Sequence, residues 1–153
     1  MTTYRTSREI PAPPHRIFAA LSNPESLARW WGPDGFTNTF KICEFKPRGR
    51  WSYTMHGPNG HDYPNESEFE VTEPARIVIR HISLPQYRLT ITLTPSPAGG
   101  TTISWEQAFD NAETGRRLEK IVVPANEQNL DRLTAEVLRT AGDQPPPTSP
   151  AAP

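Results

Sequence analysis

Few residues in this chain have the chemistry to act on another molecule, and they are scattered. His81 and Gln107 come first because each falls in step with apolar neighbours: Ile77 and Ile79 before the histidine, Ile103 and Trp105 before the glutamine. Alternate residues of a strand share a face, so both polar side chains are expected to point inward, where a buried polar group needs a partner. That partner is a ligand or water in a cavity, or the two bond each other, or the strand end opens to solvent. A titratable group inside a pocket could do general acid–base work. His81 is the best candidate and Tyr53 a candidate acid, but no second inward carboxylate pairs with them, so no catalytic residue is assigned. Asn126 and Asn129, near the start of the last helix, are weighed as ligand contacts in the same way.

Other reactive residues carry less. His56 and His61 flank Gly57-Pro58-Asn59-Gly60, with Asp62 and Glu66 nearby. Imidazole with carboxylate is a common metal-ligand set, yet this spacing matches no standard motif and a hairpin loop is solvated, so no metal is expected. Cys43 lies between Ile42 and Phe45 in a strand and reads as a small buried residue, because a catalytic thiolate wants an open, electropositive setting. No Gly-x-Ser-x-Gly, phosphate loop or dinucleotide fingerprint occurs, and no cofactor is expected.

These residues depend on the elements that carry them. Alternation predicts strands at Thr3–Glu9, Thr39–Phe45, Arg50–His56, Asn65–Thr72, Arg76–Ser83, Tyr87–Thr94 and Thr101–Phe109. Short Pro- and Gly-rich connectors imply antiparallel neighbours, since a parallel crossover needs about a dozen residues or more. Pro64, beside the fourth strand, predicts an edge or a bulge there. Two short helices follow strand one: one from Pro14, and one opened by Asn23-Pro24-Glu25 and closed by Gly32-Pro33. Neighbouring helical residues lie about 100° apart, so one of Trp30 and Trp31 is expected beneath the sheet. The other would close a cavity mouth or anchor a protein partner. After the strands, Asp110 or Asn111 can cap a helix over Glu113–Val122, and Pro124 either kinks it or begins another. That last segment carries Leu130, Leu133, Val137, Leu138 and Ala141 in an amphipathic stripe.

The order is α+β, a curved antiparallel sheet with helices on one face. Its inner face collects Trp51, Tyr53, Met55, Phe69, Val71, Tyr87 and Trp105. Any one of these is ordinary core; as a set, the aromatics and the adaptable methionine are expected to line a cavity.

Bulk properties narrow the function classes. The chain has 153 residues, 16 Lys+Arg against 17 Asp+Glu, and a net charge of -1. That balance gives no global attraction to nucleic acid or an anionic membrane. No apolar run approaches the ~20 residues of a spanning helix, and with one cysteine no intrachain disulfide forms. A cytoplasmic protein is expected. The 18 prolines exclude a helical bundle. Five of them fall in the stretch 142–153, which lacks aromatic and branched aliphatic residues and is expected to be a disordered tail after a single domain, 1–141.

At this point the residues resemble a family. Ile10-Pro11-Ala12-Pro13-Pro14-His15-Arg16-Ile17-Phe18, Asn23-Pro24-Glu25 and Arg29-Trp30-Trp31-Gly32-Pro33 are similar to the START-like, helix-grip superfamily (SRPBCC, Bet v 1-like). The branch is that of the activator of heat shock protein 90 ATPase homologues. Gly49 to Gly60, Tyr63-Pro64-Asn65-Glu66 and Asn126 to Leu133 agree with it. The resemblance implies a seven-stranded antiparallel sheet gripping a long C-terminal helix, with a cavity between them that in related families holds apolar molecules. It makes Trp31, Trp51, Tyr53, Met55, Phe69, His81, Trp105, Gln107, Asn126, Leu130 and Leu133 the candidate ligand contacts. The leading expectation is a small apolar or amphipathic ligand. An enzyme of the polyketide cyclase, dehydratase or hydrolase kind and a chaperone-binding module are the alternatives, and a homodimer is compatible with each.

Overall fold

The computed structural model describes residues 1–143, the side chains of 141–143 excepted. Most of the expected tail therefore lies outside the described residues. The elements run β1 (Thr2–Ile10), α1 (Pro14–Ser22), α2 (Pro24–Trp30), β2 (Thr37–Cys43), β3 (Gly49–His56), β4 (Asp62–Glu73), β5 (Arg76–His81), β6 (Tyr87–Pro95), β7 (Thr101–Phe109), α3 (Ala112–Arg117) and α4 (Glu119–Asp143). The strands form one antiparallel sheet of order β1-β7-β6-β5-β4-β3-β2. This is the α+β helix-grip fold, with the helices on the concave face.

Local chemistry sets the helix starts. Asn23 Oδ1 accepts the backbone N–H of Glu25 at 2.9 Å and of Ser26 at 3.3 Å, opening α2. Asn111 Oδ1 accepts from Thr114 N at 2.8 Å, opening α3. Each satisfies backbone donors that a first helical turn otherwise leaves without partners. The expected helix over Glu113–Val122 is instead two, broken at Leu118. Pro124 neither begins nor ends a helix but lies inside α4 near its start. The carbonyl it leaves without a donor is that of Lys120, at a position exposed to solvent.

Tertiary packing changed two readings of pattern. A register shift in β4 between Phe69 and Val71 pairs Val71 with Val78. Ile77 and Ile79 face the core, so this bulge moves Val71 to the outer face. Trp30 and Trp31 are both buried, at 1% and 5% exposure. The angular argument fails because Trp31 has already left the helix, with φ -64° and ψ 133°. Pro64 pairs with Thr54 of β3, while β5 stops at His81, opposite Ser67. Its missing N–H therefore falls where β4 has only one neighbour.

Helix α4 lies across the grip. Leu130, Leu133 and Val137 are fully buried, whereas Leu138 is 43% exposed. Burial of each such side chain contributes about 1.5–3 kcal/mol. Polar bonds add direction. Thr6 Oγ1 of β1 donates to Glu127 at 2.6 Å, and Arg8 pairs with Glu127 and Asp131. At the other side of α4, the buried Glu136 carboxylate accepts from Ser26 Oγ at 2.7 Å and from Arg29 at 2.8 and 3.0 Å.

Candidate ligand cavity

The inner face of the sheet is filled along most of its length. Trp51 stacks on Tyr53, with ring centroids 4.3 Å apart, and on Phe69 at 5.3 Å. Trp31 meets Trp51 edge-on at 4.9 Å and approaches Trp105 at 6.1 Å. The Trp31 indole N–H donates to the Tyr53 hydroxyl at 3.2 Å. Leu130 and Leu133 close this cluster from α4. Trp31, Trp51, Tyr53, Phe69, Trp105, Leu130 and Leu133 are therefore packed core rather than cavity wall. Side-chain volume decides this: stacked indole and phenyl rings occupy the space that alternation alone leaves open. Burial drives the Tyr53 phenol well above its usual pKa, so it stays protonated and sealed from solvent.

The cavity lies instead at the open end of the grip, with a volume of about 460 Å³. Its floor comes from the strands: Met55 of β3, Tyr63, Pro64 and Asn65 of β4, His81 of β5, Tyr87 of β6, and Gln107 and Phe109 of β7. Leu118, Ile121 and Val122 form the helical wall. Pro33 and Phe36 close the α2–β2 side, and Leu84 and Pro85 the β5–β6 side. The Leu84–Pro85 peptide is cis. Three of the candidate contacts, Met55, His81 and Gln107, meet here. Asn126 stands behind them, donating from Nδ2 to Gln107 Oε1 at 3.1 Å. Asn129 is turned away, donating to the Trp30 carbonyl at 3.2 Å.

His81 and Gln107 do not bond each other. His81 Nδ1 meets the Pro85 carbonyl at 2.9 Å and Nε2 meets Asn65 Oδ1 at 2.6 Å. Its ring stacks on Tyr87 at 4.4 Å. Burial lowers the His81 pKa, with the Pro85 and Ser83 bonds opposing it. A carbonyl accepts only, so the Nδ1 bond makes Nδ1 the donor. His81 is thus a fixed wall of the cavity, not a free base.

The α2–β2 side is held by one cation. Arg132 Nη1 donates to the carbonyls of Gly32 at 2.9 Å, Pro33 at 2.8 Å and Trp31 at 3.3 Å. Its Nη2 donates to Phe36 at 2.9 Å and Arg29 at 3.1 Å. Gly32 sits at φ +101°, in the left-handed region that favours glycine, and a Cβ there would stand 2.7 Å from Met55 Cε. A turn tight enough for only this residue thus brings Pro33 and Phe36 to the cavity.

The remaining candidates lie elsewhere. His56 accepts or donates at both ring nitrogens, to Thr39 Oγ1 and Asp62 Oδ1, each at 2.7 Å, and does not line the cavity. Cys43 is half-buried, and burial pushes its thiol up to about 11, which makes it a poor nucleophile.

Comparison with known proteins agrees with this architecture. A family model described as Activator of Hsp90 ATPase homolog 1-like protein matches residues 11–137. The chain belongs to this family. A solved structure from Nitrosomonas europaea superposes with a TM-score of 0.81 at 20% identity, over 93% of this chain and 97% of that one. One from Chromobacterium violaceum gives 0.77 at 23% identity, over 88% and 96%. A Silicibacter pomeroyi protein titled AHSA1 gives 0.71 at 20% identity, over 91% and 99%. At such identities the likeness establishes the fold alone. No curated protein matches the chain. Among the described residues, no helix is long and apolar enough to cross a membrane.

In this Activator of Hsp90 ATPase homolog 1-like domain, several cavity residues escaped the sequence reading. Tyr63 and Asn65 were findable by carrying the β4 alternation back through Pro64. Leu118, Ile121 and Val122 have the i, i+3, i+4 spacing of one helical face, but nothing in that spacing says that the face covers the mouth of a sheet.

Proposed function

We propose that the domain binds a small, largely apolar molecule at the open end of the grip. The observation that carries this reading is the cavity itself. Its volume is within the ~300–1,000 Å³ range of small-molecule sites. Strands, a helix and two loops converge on it, and most of its walls are aliphatic or aromatic with a few placed polar groups. Both candidate acid–base groups are committed elsewhere: Tyr53 to the core and His81 to Pro85 and Asn65. That favours binding over catalysis. The family's name speaks of activating a chaperone ATPase; the apolar cavity favours a small molecule as the partner of this chain.

The test is titration with N-phenyl-1-naphthylamine, an uncharged dye whose emission rises in apolar surroundings. Saturable one-to-one binding is expected, and it should be lost in Val122→Trp, which fills the cavity from a half-buried position on α4, with the melting temperature unchanged. No saturable signal, or equal binding by the filled variant, overturns the proposal.

A further inference from the structure

The polar groups of this cavity carry more information than its volume. Gln107 is 8% exposed and lines it. Its Oε1 is taken by Asn126 Nδ2 at 3.1 Å, and among the described residues its NH₂ group has no partner. Tyr87 lines the same cavity, and its hydroxyl likewise has none. The two side chains are diagonal neighbours on adjacent strands, because Tyr87 pairs with Phe109 and Leu89 with Gln107. Such neighbours lie about 7–8 Å apart at the backbone, and both side chains line the same cavity. A ligand atom that accepts from these donors would replace the water that otherwise meets them.

The charges are equally specific. No lysine or arginine lines the cavity among the described residues; Asp62 is the one formally charged wall residue, at the rim, bonded to His56. A carboxylate or phosphate held here would meet no cation to offset whatever water it gives up, which is unfavourable.

We infer that the cavity selects an uncharged, flat, apolar molecule bearing a carboxamide- or carbonyl-like head, with the head bonded by Gln107 and Tyr87. This rests on the binding reading above and names the class of ligand within it. The amide orientation does not change the conclusion. Turning both the Gln107 and Asn126 amides over would present a carbonyl to the cavity in place of the NH₂, and a carboxamide satisfies either arrangement. The stacked His81 and Tyr87 rings supply a flat surface for the body of the ligand. An anionic head in the same place would find no cation among the lining residues.

Calorimetric titration of the full chain with three probes of one shape tests this: 2-methylnaphthalene, 2-naphthamide and 2-naphthoate, at pH 7.5. The amide is expected to bind about tenfold tighter than the hydrocarbon, as one or two net hydrogen bonds imply, and at least as far above the carboxylate. Gln107→Leu should take away most of the amide's advantage while leaving the hydrocarbon's affinity in place. Tyr87→Phe, which removes one oxygen and keeps the stack, should take away part of the amide's advantage. Equal affinity for amide and hydrocarbon, or tightest binding of the carboxylate, overturns the inference while the cavity still stands as a binding site. Failure of all three probes overturns the binding reading and this inference with it.

Discussion

Replacing Arg132 with methionine should unfasten the cavity wall. Four N–H groups of the two Nη atoms cover five carbonyls between Arg29 and Phe36. Methionine retains an apolar stem and offers no donor. Three of those bonds, to Gly32, Pro33 and Phe36, are 2.8–2.9 Å long. At the lower end for charged donors, about 1.5 kcal/mol each, they contribute roughly 4–5 kcal/mol. Taking the guanidinium partly out of water offsets some of this. Burial lowers its pKa, with Asp34 acting the other way. Water also reaches the half-buried Pro33 and Phe36 positions of the variant. A net loss of about 3 kcal/mol remains, or about 10 °C in melting temperature for a domain of this size. Arg132→Lys should recover only part, because an ammonium cannot span carbonyls that a planar fork reaches. Calorimetry gives the stability. The dye titration, run well below the melting temperature, should show several-fold weaker binding because Pro33 and Phe36 line the cavity. An Arg132→Met protein as stable as the parent, with the parent's dye affinity, would refute the argument that this cation holds the loop.

Two further outcomes follow from buried groups. Burial pushes the Glu136 pKa up, but hydrogen bonds from Arg29, Ser26 and Arg139 outweigh it and hold the carboxyl below its usual 4.5. Its folded pKa is thus lower than its unfolded one, so its stabilisation is complete above the unfolded value and disappears as pH falls through the folded one. Glu136→Gln should therefore cost about 2 kcal/mol at pH 7, and urea midpoints of variant and parent should converge by pH 3; a gap of constant size would contradict the ionic account. The Cys43 thiol, pushed up to about 11, should react with an aromatic disulfide at pH 8 on the order of a hundredfold more slowly in the folded protein than in denaturant, and equal rates would show it to be exposed.

Much of the architecture was legible because it rests on local rules. Asn23 and Asn111 cap helices through contacts with residues two or three positions on, so the sequence carries the whole of that interaction. Strand positions followed from alternation, which needs only one covered face. The errors share a cause of another kind. Val71 moved to the outer face because a bulge, set by pairing with β5, shifted the register. Trp31 was buried because the chain had already turned out of α2, with its carbonyl accepting from Arg132 a hundred residues on.

The candidate site divides along the same line. Residue types and period alone placed Met55, His81 and Gln107 on an inner face, and that placement holds. They could not say whether the face encloses a ligand or solid core, because that depends on whether rings from β3, β4, β7 and the α2 terminus meet. They do meet, between Trp31, Trp51, Tyr53, Phe69 and Trp105, and the stacked rings fill the space between them. The apolar cavity lies where the rings end, at the mouth, bounded by helix, loop and strand residues far apart in the chain. Alternation is a one-strand property and could be read directly; a cavity is what remains after every element has filled its share, and only the assembled tertiary structure decides where that is.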